Sequence, residues 1–257
     1  MLPHDADVAE RPRVTAVDPA GNRRTTPAAA QFRSRDFPSE DIVVSDALVV
    51  GTVRPLLEAE SLPIPEGPVD AFLAVNRDLR KQSDEALRRA VATSAPTPLL
   101  SGAFRQQPGT KVGSRYAEHR RYLYAGELID RQDHLGYDLA SVRRAPISAA
   151  QRGTVVLARD LGIYGKSVVI DHGLGVSSLY AHLSDIAVTE GDSVELGQAI
   201  GRSGETGLAS GDHLHFSILV GGRHVDPIEW WDPNWVKRQI VVPLENNGFE
   251  VPAGPGS

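Results

Sequence analysis

Between about residues 99 and 232 the chain is broken by glycine-containing turns at short intervals, and the runs between the turns are β-branched and only four or five residues long. Gly153-Thr154-Val155-Val156-Leu157, Ser167-Val168-Val169-Ile170, Ser177-Ser178-Leu179-Tyr180, Gln198-Ala199-Ile200-Gly201 and Leu214-His215-Phe216-Ser217-Ile218 all read as strands. Runs this short cannot carry the 3.6-residue stripe of a packed helix, so this stretch is expected to be all-β.

The chain ahead of it has a different character. Residues 1–30 are rich in Pro, Ala, Arg and Asp without periodicity and read as a disordered arm. Asp41-Ile42-Val43-Val44 and Ala47-Leu48-Val49-Val50 read as one or two strands, followed by a Pro-rich stop at Pro63–Pro68. From Pro68 to about Thr93, Phe72, Leu73, Leu79, Ala86, Leu87, Ala90 and Val91 form one apolar stripe, so a helix packed on a core is expected. Ser94-Ala95-Pro96-Thr97-Pro98 reads as a linker. The expected organisation is an arm (1–30), an accessory α+β region (31–96), a β domain (97–235) and a tail (236–257) in which Val241-Val242 adds an edge strand.

Composition narrows the chemistry. The 257 residues include no cysteine, so thiol nucleophiles, disulfides and thiolate metal sites are excluded, and any metal must be held by His, Asp or Glu. A net charge of −6 leaves no basic excess for a nucleic-acid partner. No apolar run is long enough to span a membrane, and Met1–Arg13 lacks the apolar core of a signal peptide. The expectation is either a cytoplasmic protein or a chain that follows a removed signal or anchor.

Three motifs carry candidate chemistry. In Gly211-Asp212-His213-Leu214-His215-Phe216, the two histidines share one strand face and can meet one metal, or one can bind while the other handles protons. Asp133-His134-Leu135-Gly136-Tyr137-Asp138 pairs a histidine with an aspartate four residues on, and Tyr180-Ala181-His182-Leu183 ends a strand in a histidine. Taken singly each is commonplace, since paired histidines are more often surface or core residues. Together they meet the needs of metal-assisted hydrolysis: His134, Asp138 and one of His213 and His215 supply three ligands, and two histidines remain for proton transfer. The His-Glu-x-x-His helix motif is absent.

The order of these motifs from about Leu99 to Trp231 resembles the catalytic domain of the lysostaphin/LytM-type zinc metallopeptidases, the peptidoglycan endopeptidases. Gly204-Glu205-Thr206-Gly207 before the His-x-His, Gly222 and Asp226-Pro227 after it, and Ser114-Arg115-Tyr116 with Arg120 as an entry segment extend the match. The resemblance implies a mainly β fold, an antiparallel β-sheet catalytic domain with a smaller α+β N-terminal region. It implies Zn2+ held by His134, Asp138 and His215, with His182 and His213 as the catalytic pair. It also implies cleavage of peptide cross-links in peptidoglycan, D-Ala–diaminopimelate or Gly-Gly bonds, in the periplasm or cell envelope, with a membrane anchor outside this chain.

In several relatives, segments outside the catalytic core cover the cleft, and residues 1–95 are long enough to do so here, with Asp, Glu or Asn at the open metal position. Asp212 stands where many members have proline and is expected to be a strand-edge residue rather than a partner of a histidine N–H. His172 is expected to serve a turn. Two rival readings are a non-catalytic regulator of other hydrolases, which need not keep all five groups, and a carrier domain. The latter is suggested by Gly191–Gln198 but lacks a lysine at the matching turn.

Overall fold

The computed structural model describes residues 13–17, 21–27 and 35–254. Its main sheet has eight strands: β4 (Lys111–Ser114), β7 (Tyr137–Ala140), β9 (Gly153–Asp160), β10 (Lys166–Asp171), β11 (Val176–Leu183), β13 (Ser193–Val194), β15 (Leu214–Val220) and β16 (Arg223–Val225). The order is β13-β9-β10-β11-β15-β7-β4, with β16 on β15, and every pairing is antiparallel. A three-stranded sheet, β12 (Asp185–Ile186), β14 (Ala199–Arg202) and β8 (Pro146–Ser148), lies beside it in sequence. In a third sheet, β3 (Ser39–Val43) runs parallel to β5 (Glu118–Tyr124), which pairs antiparallel with β6 (Glu127–His134).

Period-two alternation gives the main sheet two different faces. Val168, Ile170, Tyr180, Leu214, Phe216 and Ile218 point into one apolar core, completed by Phe104, Tyr116, Ile147 and Trp230. Leu157, Val169, Leu179, Ala181 and Leu219 point into a second core, completed by Val49, Val53, Leu57, Phe72, Val75, Leu79 and Leu87 from the accessory region. The central strands β10 and β11 are buried on both sides, which is why they read as continuous apolar and small-residue runs.

The helix expected from Pro68 is present over residues 68–90, with a π-helical turn at Ala74–Leu79 between α-helical segments. Two strand expectations are overturned. Residues 46–59 are helical, not a strand at 47–50: Ser45 caps the run by accepting a hydrogen bond from Leu48 N, and Val49, Val53 and Leu57 recur every four residues into the second core. The Val241-Val242 edge strand is likewise helix, inside a helical run over residues 233–246 capped by Asp232. Within the expected disordered arm, β1 (Arg13–Val17) and β2 (Arg23–Pro27) form an antiparallel pair, and its remaining residues lie outside those described, residues 21–22 apart. β3 and the second core both cross the expected boundary at residues 96–97, so the accessory region and the β domain share their packing.

Candidate functional site

Strand register brings the first two residues together. Asp138 on β7 lies directly opposite His215 on β15. Their neighbours Tyr137, Leu139, Leu214 and Phe216 turn into the first core, so Asp138 and His215 turn to the helical side. His134 ends β6, and the chain then passes so close under β15 that a Cβ on Gly136 would stand 2.5 Å from Ser217 Oγ and 2.7 Å from His215 Cε1. Only glycine fits there.

The resulting cluster is tight and buried. Asp138 Oδ1 is 2.9 Å from His134 Nε2 and 2.9 Å from His215 Nδ1, and the two nitrogens are 3.0 Å apart. The outer nitrogens fix the tautomers. His134 Nδ1 faces the Arg115 carbonyl at 2.9 Å, which can only accept, so the hydrogen is there. Ser217 donates its hydroxyl hydrogen to the Leu135 carbonyl at 2.6 Å and accepts from His215 Nε2 at 3.0 Å, so that ring's hydrogen also points away from the cluster. Two imidazole lone pairs and a carboxylate oxygen thus converge, all within 4.8 Å of one another. Three buried acceptors without a hydrogen between them repel unless a cation lies among them, and two histidines with one carboxylate match the three-ligand set of a catalytic zinc.

Arg120 completes the cluster by donating from Nη2 to Asp138 Oδ2 at 2.8 Å. Burial alone would raise the Asp138 pKa, but His134, His213 and His215 together hold it well below the usual carboxylate range. Burial pushes His215 down to about 4, against the opposing pull of Asp138, so the ring offers a lone pair rather than a charge.

Beside these three lie His182 and His213, their rings 4.8 Å apart, with His182 also 5.9 Å from the His215 ring. His182 Nδ1 donates to the Thr206 carbonyl at 2.8 Å and His213 Nδ1 to the Gly211 carbonyl at 2.8 Å; among the described residues His182 Nε2 has no hydrogen-bond partner, and His213 Nε2 lies 3.5 Å from Asp138 Oδ1. Their environments separate them. Burial, then His213 and His215, push His182 well below its ordinary pKa. For His213, burial is outweighed by Asp138, and the pKa rises. Burial thus favours the neutral form of His182, while Asp138 draws His213 toward its charged form.

The accessory helix helps to seat His182. Ser83, buried in the helix, donates to Leu79 O at 2.7 Å and accepts from Ile163 N at 3.1 Å, and Asp84 accepts from the Tyr164 hydroxyl at 2.8 Å. The turn so held, Gly162–Tyr164, accepts from Leu208 N at the Ile163 carbonyl, 2.8 Å away. A Cβ on Gly207 would stand 2.4 Å from both Gly165 N and the Ile163 carbonyl, so the Thr206 loop is pressed against this turn backbone to backbone. His182 itself has a left-handed φ of 60°, which is strained for a non-glycine residue.

All five site residues expected from the sequence therefore meet on one face. Around them a cleft of about 410 Å³ is lined by Ile42, Leu48, Phe72 and Arg80 on the accessory side and by Ser114, Ala140, Ser210 and Gly211 on the other. Among the described residues, no side chain from before residue 96 hydrogen-bonds His134, Asp138 or His215. Three contributors were not assigned a role from sequence: Arg120, Ser217 and Thr206. Ser217 had a readable signal, since it is two residues from His215 on the same strand face.

Asp212 accepts from Arg144 N at 2.9 Å and Ser203 Oγ at 2.5 Å, tying two loops together and touching no histidine. His172 lies in the turn between β10 and β11, but it is fully buried. Its Nδ1 donates to the Arg152 carbonyl at 2.7 Å and its Nε2 lies 2.7 Å from Ser178 Oγ. Trp231 packs on Tyr137 and Phe216, and Trp230 on Phe104.

Residues 132–227 match the family described as Peptidase family M23. The peptidoglycan DD-endopeptidase ShyB of Vibrio cholerae is 31% identical over 67% of this chain and 38% of its own length. The peptidoglycan DD-endopeptidase ShyA of the same organism is 41% identical over 37% of this chain and 22% of its own length. The chain thus spans well under half of these relatives. A solved zinc-containing peptidase from Vibrio cholerae superposes with a TM-score of 0.44, at 30% identity over 51% of this chain and 40% of that one.

Proposed function

We propose that this chain, whose residues 132–227 match Peptidase family M23, hydrolyses peptide cross-links of bacterial peptidoglycan in the cell envelope, with D-Ala–diaminopimelate amides as the bonds cut. The observation that carries the reading is the convergence of two imidazole lone pairs and a carboxylate oxygen beside a second histidine pair, His182 and His213, whose rings lie 4.8 Å apart. His134, Asp138 and His215 would hold a zinc ion, which when bound supplies Lewis acidity toward water and a scissile carbonyl. His182, neutral and with Nε2 free, accepts a proton from the attacking water. His213, in its charged form with hydrogens on both ring nitrogens, offers the Nε2 hydrogen to the developing oxyanion and then gives that proton to the departing amine, becoming neutral. Arg120 and Ser217 keep Asp138 and His215 oriented.

The accessory region supplies one wall of the cleft, and we read it as a surface that selects peptides rather than as a plug on the ligand atoms. The test is incubation of the zinc-loaded protein with purified cross-linked muropeptides and mass spectrometry of the products. Release of uncross-linked monomers whose masses fit D-Ala–diaminopimelate scission is expected. Intact dimers at every zinc concentration would return the chain to the regulator reading, and cutting confined to glycine bridges would overturn the bond assignment.

A further inference from the structure

Arg80 lines the same cleft as His134, Asp138 and His215, and it also lines the adjoining hollow between Tyr164 and Arg120. Among the described residues it forms no ion pair within 4 Å; Asp84, which lines the same hollow and feels its charge, is bonded to the Tyr164 hydroxyl instead. The orientation of Arg80 is nonetheless fixed: Nε donates to the Asn76 carbonyl at 3.1 Å and Nη2 to Asn76 Oδ1 at 2.7 Å. Asn76 is fully buried, and its own amide is set by donation from Nδ2 to Asp130 Oδ2 at 2.8 Å. The two contacts occupy Nε–H and one hydrogen of Nη2, so three of the five guanidinium hydrogens stay available.

A solvated helix arginine needs no such frame. A buried amide spent on holding a guanidinium in place is what recognition of a planar anion requires, because a fork fixed beforehand loses little entropy when a carboxylate docks. The other arginine in the cleft, Arg120, already spends Nη2 on Asp138. Arg80 is therefore the cation left for a ligand.

We infer that Arg80 binds a free carboxylate of the substrate beside the scissile amide, making it a specificity residue supplied by the accessory region. The inference rests on the hydrolysis proposed above and sharpens it. In a D-Ala–diaminopimelate link, the carbon bearing the amide nitrogen also bears a free carboxylate, whereas a glycine bridge has no such group.

The test uses two synthetic cross-link peptides that differ only in this group, carboxylate in one and carboxamide in the other. Affinity is measured by calorimetry on the metal-free protein, where nothing is cut, and cleavage is measured separately with zinc. Wild-type protein is expected to bind the carboxylate about tenfold more tightly, the range of a charge-assisted hydrogen bond. R80Q is expected to bring that ratio to about one, and R80K to keep an intermediate ratio, since a point charge replaces a fork. A wild-type ratio near one overturns the inference without any variant, and so does a ratio that R80Q leaves unchanged. Absence of cleavage with the tenfold binding ratio intact would overturn the hydrolysis and leave the recognition standing.

Discussion

The two faces of the main sheet use the same strands for opposite purposes. On one, residues such as Ile170, Tyr180, Phe216 and Ile218 close into an apolar core whose buried polar groups, Ser178, His172 and the Tyr180 hydroxyl, are hydrogen-bonded to one another. On the other, the apolar set Val169, Leu179, Ala181 and Leu219 gives way along β15 and β7 to His215 and Asp138, and helices complete the core around the gap. On β15 the polar residues His215 and Ser217 share a single face, while Leu214, Phe216 and Ile218 on the opposite face hold the backbone still. Burying three convergent acceptors costs stability, and the packed face is where that cost is offset.

The sharpest way to break the contrast is at the ligand cluster. Asp138→Ala is expected to abolish both zinc retention and muropeptide cleavage, read by metal analysis of the purified protein and by mass spectrometry. Next comes His182→Ala, which should lower kcat by about 10²–10⁴-fold while zinc content stays at the wild-type level. Unchanged activity there would remove His182 from the mechanism. On the packed face, Ile170→Ala should cost about 2–5 kcal/mol in denaturant unfolding, yet leave turnover per folded molecule and zinc content as they were.

His172, edge-on to Phe104 beside the packed face, supplies a pH test. Burial lowers its pKa from 6.5 to about 4 in the folded protein, against weaker opposing pulls from Arg152 O and Asp171. Between those values the unfolded chain binds a proton that the native one does not, so stability falls as pH drops from about 6.5 to about 4 and loses at most about 3 kcal/mol. Equilibrium unfolding across that range checks it, and His172→Gln should flatten the slope. The smallest effect is Ser83→Ala, costing about 1 kcal/mol of stability. Because Ser83 holds the turn behind the Thr206 loop, kcat should fall more than KM changes and the pH–rate profile should shift, outcomes that loss of packing alone does not produce.

Much of this was readable from the residues. The five site groups announce themselves because their spacing matches strand geometry: His213 and His215 two apart, and His134 and Asp138 across one glycine turn. The misread segments share one cause. Val49-Val50 and Val241-Val242 are β-branched pairs whose local preference points to strand, and each lies in a helical run opened by an N-cap, Ser45 or Asp232, with burial of Val49 in the second core adding to it in the first case alone. Both caps stand in the sequence just ahead of the runs. What no local pattern encodes is the pairing of Arg120 with Asp138, or of Ser83 with Ile163 eighty residues away. Such contacts depend on where the sheet carries each residue.

The close stacking of Gly165 against Gly207 has a consequence for redesign. The backbone behind the cleft-lining residues Tyr164 and Leu208 has no volume to give, since any side chain at either glycine meets backbone at 2.4–2.5 Å. Gly211, on the rim, has nothing within 4 Å of where its Cβ would stand, and its φ is not in the left-handed range. Evolvability is therefore distributed unevenly around this cavity. Libraries that vary Ser210 and Gly211 explore new substrates on an intact scaffold, whereas libraries aimed at Gly165 and Gly207 sample mostly unfolded chains.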